Sequence, residues 1–235
     1  MQQLSIIVFG KNFNDVIEQT IANIVNALNK NKTIKYEIII VDDGSLKSID
    51  FSVDAYKNTK FLKHAQSKGI GDALLTGCKN AKYHNVMFVP GHNFFSETAI
   101  QNVSKLTGLA PVILGYRTGM DNRPRIKRFG AFVFRQLFRG RISHLLIDPH
   151  GLPIYPRDGV LQNLPEGTKH ALHLFLLDAF TKKNLTFIQT PAPINPKYSE
   201  SLRNGLEAYF TYFSNIAFVA RVVISRRYEV VNSTK

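Results

Sequence analysis

Tyr36-Glu37-Ile38-Ile39-Ile40-Val41-Asp42-Asp43-Gly44-Ser45 is a near-continuous apolar run that stops on two carboxylates and a Gly-Ser turn. Tyr36–Val41 predicts a strand buried on both faces, as strands of parallel sheets are. The two acids then stand at the carboxyl edge of the sheet, where open α/β folds bind ligands.

Outward from this run, strand and helix signals alternate. Leu4–Phe9 predicts a strand. Asn14–Asn29 predicts a helix capped by Asn14, with Ile17, Ile21, Ile24, Val25 and Leu28 on one face. Lys60–His64 is a weaker strand, Gly71–Ala81 a helix, Val86–Val89 a strand, Ser96–Leu106 a helix and Val112–Tyr116 a strand. The alternation predicts a mostly parallel central sheet flanked by helices, with right-handed crossovers. Farther on, Arg125–Arg139 carries Phe129, Phe132, Val133 and Leu137 at helical spacing, and Asp148-Pro149-His150-Gly151 is a turn. Ile154–Arg157 predicts a short strand, Thr168–Lys183 a helix and Leu185–Thr190 a last strand, ended by Pro191-Ala192-Pro193.

Composition bounds the function. The chain has 235 residues, 44% hydrophobic and 11% aromatic, enough for a real core in one domain of upper-normal size. Its one cysteine, Cys78, excludes a disulfide framework and, lying inside a predicted helix, reads as a small core residue. No basic and apolar leader precedes the first strand, so the expectation is a cytoplasmic protein. The net charge of +13 admits nucleic acid, anionic lipid or phosphate-bearing partners. Arg117, Arg123, Arg125, Lys127, Arg128, Arg135, Arg139 and Arg141 concentrate that charge, with Asp121 the only acid among them. Such clustering points to a particular anionic ligand or surface, and no nucleic-acid recognition motif accompanies it. Leu206–Ile224 is rich in Phe, Tyr, Val and Ile, its only charges are Glu207 and Arg221, it holds Ser214 and Asn215, and Arg226 and Arg227 follow it. It is too polar for a confident membrane span and suits the membrane interface, a partner helix or subunit, or packing on the core.

In this order the pieces resemble the family 2 glycosyltransferases of GT-A fold, most nearly the polyprenyl- or dolichyl-phosphate hexose synthases, over Leu4 to Pro193. Ser5-Ile6-Ile7-Val8-Phe9-Gly10-Lys11-Asn12 matches the opening strand and loop, Val41–Ser45 the acidic turn, and Ser67-Lys68-Gly69-Ile70-Gly71-Asp72-Ala73 with Gly77 the spaced glycine segment. The resemblance implies a nucleotide-sugar half at 1–116, an acceptor half at 117–193 and a C-terminal helical segment at 194–235. It implies that Phe9, Asp42, Asp43, Gly69, Gly71, Pro90, Gly91 and His92 line the donor site. A uracil or guanine ring presents an N–H that Asp42 or Asp43 can accept, and glycines let backbone amides approach ribose or diphosphate. Turn formation by the Asx side chains is the structural alternative.

The family's metal-binding Asp-x-Asp falls on Pro90-Gly91-His92, and neither aspartate is present. Three consequences stand open: Mn²⁺ or Mg²⁺ held through His92, charge neutralisation by arginines, or binding without catalysis. The density of the basic cluster favours the second. Arg117 sits where the phosphate-acceptor branch carries an arginine, followed by Arg123, Arg125 and Arg128. Guanidinium groups match phosphate oxygens in paired geometry. Asp148 either orients an arginine or, for a hydroxyl acceptor, serves as general base. His170 and His173 lie where the family's late helix carries an acid, and read as packing or surface residues. The expected activity is inverting transfer of a hexose from a UDP- or GDP-sugar to a polyprenyl phosphate at the cytoplasmic membrane face. A cell-surface glycan hydroxyl is the alternative acceptor, and a non-catalytic sugar-nucleotide-binding subunit the alternative role.

Overall fold

The computed structural model describes residues 2–47, 56–119, 146–148, 150–168 and 172–197. Arg123, Arg125 and Arg128, the whole Arg125–Arg139 segment, Pro149, His170 and the C-terminal run lie outside the described residues, as do Arg135, Arg139 and Arg141. One sheet of seven strands organises the rest: β1 (Gln2–Gly10), β2 (Ile34–Asp42), β3 (Thr59–Lys63), β4 (Asn85–Pro90), β5 (Val112–Thr118), β6 (Leu152–Pro156) and β7 (Phe187–Pro193). Their order across the sheet is β3-β2-β1-β4-β6-β5-β7. All pairings are parallel except those of β6, which runs antiparallel between β4 and β5.

Helices α1 (Ile17–Asn29), α2 (Ile70–Asn80), α3 (Glu97–Ser104), α4 (Arg157–Asn163) and α5 (Leu172–Lys182) flank the sheet. Alternate residues of each strand serve opposite layers. Leu4, Ile6 and Val8 pack with Ile17, Ile21, Ile24 and Leu28 of α1, while Ile7 and Phe9 pack with Leu74, Leu75 and Cys78 of α2. The strand side chains Leu4, Ile6, Ile7 and Val8 have no exposed surface, which stabilises the fold by about 1.5–3 kcal/mol each relative to exposure. Cys78 is buried as expected, and burial pushes its thiol up to about 12.

Several elements differ from the sequence expectation. Helix α1 begins at Ile17 without a side-chain cap; the carbonyl of buried Phe13 accepts the N–H groups of Val16 and Ile17, where Asn14 was expected to act. Ser96 is the N-cap of α3, its Oγ accepting from Ala99 N–H. Helix α4 was not foreseen, and β6 begins earlier than Ile154. Strand β7 continues through Pro191-Ala192-Pro193, where a stop was expected. It lies at the sheet margin and pairs with β5 alone, so a proline lacking an N–H is tolerated there.

Candidate active site at the carboxyl edge of the sheet

The parallel strands bring their carboxyl ends to one edge. Gly10, Asp42, Lys63, Pro90 and Arg117 lie at or near strand ends there, and the turn into antiparallel β6 brings Asp148 beside Arg117. In the parallel register Gly10 is opposite Asp42, and Asp42 opposite Lys63.

The two acids behave differently. Asp42 is wholly buried; its Oδ1 accepts from the N–H and the hydroxyl of Ser45, which in turn accepts from Asn12 N–H. Asp42 Oδ2 has no hydrogen-bond partner, and Lys63 Nζ stands 3.9 Å away. Asp43 is satisfied on all sides. Its Oδ1 accepts from Lys68 N–H at 2.8 Å and lies 2.8 Å from His64 Nδ1; its Oδ2 accepts from Ser67 Oγ at 2.8 Å and Gly69 N–H at 2.9 Å. Burial works against the charge, but the bonds from Lys68, His64, Ser67 and Gly69 outweigh it and hold the carboxyl below its ordinary value. His64 Nε2 lies 2.9 Å from the Thr76 hydroxyl, so the network continues into α2. Asp43 is thus a loop organiser in this state.

The amides of the glycine segment are committed internally. Gly69 N–H serves Asp43, and its φ of 102° lies in the region that favours glycine. Gly71 N–H donates to the Thr168 carbonyl at 2.9 Å, and a Cβ on Gly71 would come within 2.4 Å of that oxygen. Gly77 is glycine because α2 packs against Ile7, where a Cβ would meet a methyl at 2.4 Å. Phe9 places its side chain in the core and its carbonyl against Gly91 N–H, so the ring does not line the edge.

His92 stands edge-on to Phe13, with ring centroids 6.1 Å apart. Burial lowers its proton affinity, and a backbone hydrogen bond with Lys11 opposes that. Gly91 is buried and its carbonyl accepts from Thr20 Oγ1; Pro90 is half-buried. Among the described residues no three His, Cys, Asp or Glu side chains group to hold a metal ion. A lone desolvated imidazole does not fit Mg²⁺, and is an incomplete set for Mn²⁺.

At the other end of the edge, Arg117 and Asp148 form a two-pronged pair. Arg117 Nε donates to Oδ2 at 2.6 Å and Nη2 to Oδ1 at 2.9 Å. The N–H groups of Arg117 and His150 also donate to this carboxylate. Burial opposes its charge, yet the Arg117 guanidinium and the His150 N–H hold the carboxyl far below the ordinary range. Of the two roles open to Asp148, the geometry is that of orienting an arginine. His173, on α5, stands edge-on to His150 with ring centroids 6.3 Å apart, and its Nδ1 lies 3.3 Å from the Tyr155 hydroxyl. Burial first, then the positive neighbours His150 and Arg117, lower it to about 3. Sequence reasoning set His173 aside, and it missed His64, Lys63 and Thr168; only Lys63 and His64 carried a signal, as the end of a strand neighbouring the acidic one.

An acid-tipped parallel strand, a loop pinned to it and an arginine-carboxylate pair across one sheet edge define a GT-A-type sugar-nucleotide transferase fold. The family model described as Glycosyl transferase family 2 matches residues 5–141, and the chain belongs to that family and is a glycosyltransferase. Mannosyl-3-phosphoglycerate synthase from Rubrobacter xylanophilus is similar in structure, with TM-score 0.75 and 16% identity over 96% of this chain and 75% of that one. Glucosyl-3-phosphoglycerate synthase from Mycobacterium tuberculosis, in complex with Mn²⁺, UDP and glucosyl-3-phosphoglycerate, matches with TM-score 0.63 and 16% identity over 82% and 71%. The same enzyme with Mn²⁺ and UDP-glucose matches with TM-score 0.67 over 95% and 77%. No curated protein matches the chain.

Proposed function

We propose that this glycosyltransferase moves a hexose from a UDP- or GDP-sugar to an acceptor whose attacking oxygen belongs to a phosphate, with a membrane-embedded polyprenyl phosphate as the preferred acceptor. One observation carries this reading: Asp148 spends both oxygens on Arg117 and on backbone amides. A hydroxyl acceptor needs a base to take its proton, and a carboxylate so stabilised is a weak one. His173, lowered to about 3, is no better. A phosphate oxygen is already anionic and needs only positioning and charge balance. In-line attack by that oxygen inverts the anomeric carbon.

Arg117 keeps Nη1 uncommitted among the described residues and is the group assigned to the acceptor phosphate. Arg123, Arg125 and Arg128 supply further positive charge in this reading. Asp42 accepts an N–H of the nucleobase. Because the described residues do not assemble a divalent-ion site, no step is routed through one. Peripheral attachment at the cytoplasmic face, through the basic cluster and C-terminal segment, belongs to the same proposal; among the described residues no helix is long and apolar enough to cross a membrane.

A second acceptor, a small phosphorylated hydroxy acid, is favoured by the phosphoglycerate synthases of similar fold. Labelled UDP- and GDP-hexoses offered with polyprenyl phosphate vesicles, 3-phosphoglycerate or a hydroxyl-bearing glycan separate the cases. Product on the lipid phosphate supports the proposal. Product only on a hydroxyl of phosphoglycerate or glycan overturns the phosphate-nucleophile reading, and donor binding without turnover returns the chain to a binding role.

A further inference from the structure

We infer that the carboxyl edge of the sheet is the face this chain lays on an anionic bilayer, with Leu46, Ile70 and Ile147 entering the headgroup layer and Lys47, Lys63 and Lys68 meeting lipid phosphates. The inference rests on the proposed membrane attachment and gives it a surface among the described residues.

It starts from where large apolar side chains meet solvent. Among the described residues four are exposed: Leu46 at 91%, Leu109 at 63%, Ile147 at 52% and Ile70 at 42%. Three of them flank the carboxyl edge. Leu46 follows β2, Ile70 opens α2 after β3, and Ile147 precedes Asp148, which pairs with Arg117 near the end of β5. The loops after β2 and β3 brace each other. Asp43 Oδ2 accepts from Ser67 Oγ and Gly69 N–H, and a Cβ on Gly44 would come within 2.5 Å of Ser67 N. Leu46 and Ile70 thus stand on fixed ground.

Positive charge accompanies them. Lys47, Lys63 and Lys68 are exposed, while the acids of the same stretch, Asp42 and Asp43, are buried. Of the three lysines, Lys63 approaches an acid, with Nζ 3.9 Å from Asp42 Oδ2. Asp72, in the first turn of α2, accepts from Gly167 N–H. The exposed acids Asp15 and Glu18 belong to the start of α1, in the layer on the other face of the sheet. Lysines interleaved with aliphatic side chains complement anionic lipid, which attracts the ammonium groups and takes up the apolar ones.

The spread of the apolar residues selects a bilayer over a small anion. β3 and β5 stand five places apart in the sheet order, about 24 Å at the usual strand separation. A flat lipid surface reaches both ends at once, whereas a bound phosphate group reaches one. It also sets Arg117, on the same edge, at the depth where the proposed acceptor presents its phosphate. The opposite edge exposes lysines too, Lys32 and Lys35 among them, but Leu109 is its one exposed large apolar side chain among the described residues.

Cosedimentation of the full chain with phosphatidylcholine vesicles, with and without phosphatidylglycerol, tests this in the absence of donor and acceptor. Binding is expected to require phosphatidylglycerol. The triple variant Leu46→Ser, Ile70→Ser, Ile147→Ser should bind these vesicles about tenfold more weakly, at unchanged melting temperature and unchanged UDP affinity. Lys47→Gln with Lys68→Gln should weaken binding about fivefold for each lysine removed. Vesicle binding unchanged in the triple variant, or weakened as much by Lys32→Gln with Lys35→Gln as by the Lys47 and Lys68 pair, overturns the inference while membrane attachment stands. A triple variant that loses UDP affinity and keeps vesicle binding also overturns it, making these side chains part of a donor pocket. A wild type that binds neither kind of vesicle overturns both the inference and the attachment.

Discussion

At the β2 end of the sheet edge Asp43 gives both oxygens to Lys68, Gly69, Ser67 and His64, while at the β5 end Arg117 commits two nitrogens to Asp148 and, among the described residues, keeps a third. The first region is closed on itself. Its loop is pinned at four points, and its glycines are set by packing against Thr168 and Ile7. The second region is half-buried, and its charged pair retains capacity for a further anion. Asp42 Oδ2 is the exception in the first region, an inward-facing atom left without a partner. On the proposed function the difference is a division of labour, with rigidity invested where the donor is to be held in register and unspent charge where the acceptor is to be attracted.

That comparison can be broken by substitution. Arg117→Met should lower the transfer rate by on the order of 100-fold while nucleotide affinity, by calorimetry, stays within about twofold, since the loss falls on charge stabilisation. Equal losses in both would erase the distinction between the two ends. Asp43→Ala should act mainly on folding: it strands two backbone amides, Ser67 and His64, and should lower stability in urea by about 3 kcal/mol. Gly77→Ala drives a methyl into Ile7 and should remove about 1–3 kcal/mol by the same measurement, with no change in the ratio of UDP to GDP affinity.

The smallest effect sharpens the acceptor end. His173 is lowered from 6.5 to about 3, so the folded state prefers it neutral. Its contribution to stability is complete above pH 6.5 and is lost as pH falls from there toward 3, because the unfolded chain binds the proton first. His173→Phe should flatten the melting temperature across that window. The lowered carboxyls of Asp43 and Asp148 act at more acid pH, with stability lost as pH falls below their ordinary value of 3.8. An unchanged slope between pH 6.5 and 4 would remove His173 from the buried cluster.

Much of the frame was legible because it depends on local pattern. The apolar run into Asp42, the helix face of Ile17, Ile21 and Ile24, and the alternation of elements needed only neighbours in sequence. What escaped depends on distant partners. Nothing near Gly71 announces that the Thr168 carbonyl will occupy its amide, and nothing near Asp43 announces His64 and Thr76. The prolines of β7 looked like a stop because a proline removes a donor; only the strand's place at the sheet margin shows that no neighbour needs it. At the candidate site, the residue types at Asp42, Asp43, Arg117 and Asp148 were legible, but the division between satisfied and unsatisfied oxygens was not.

Hexose transfer from UDP-hexose to polyprenyl phosphate, measured in excess EDTA for the wild type and Arg117→Met, bears most directly on the central claim that arginine balances the reacting charge. The expected result is transfer that survives EDTA in the wild type and collapses in the variant. Transfer abolished by EDTA and restored by Mn²⁺, or left intact by the loss of Arg117, would contradict it.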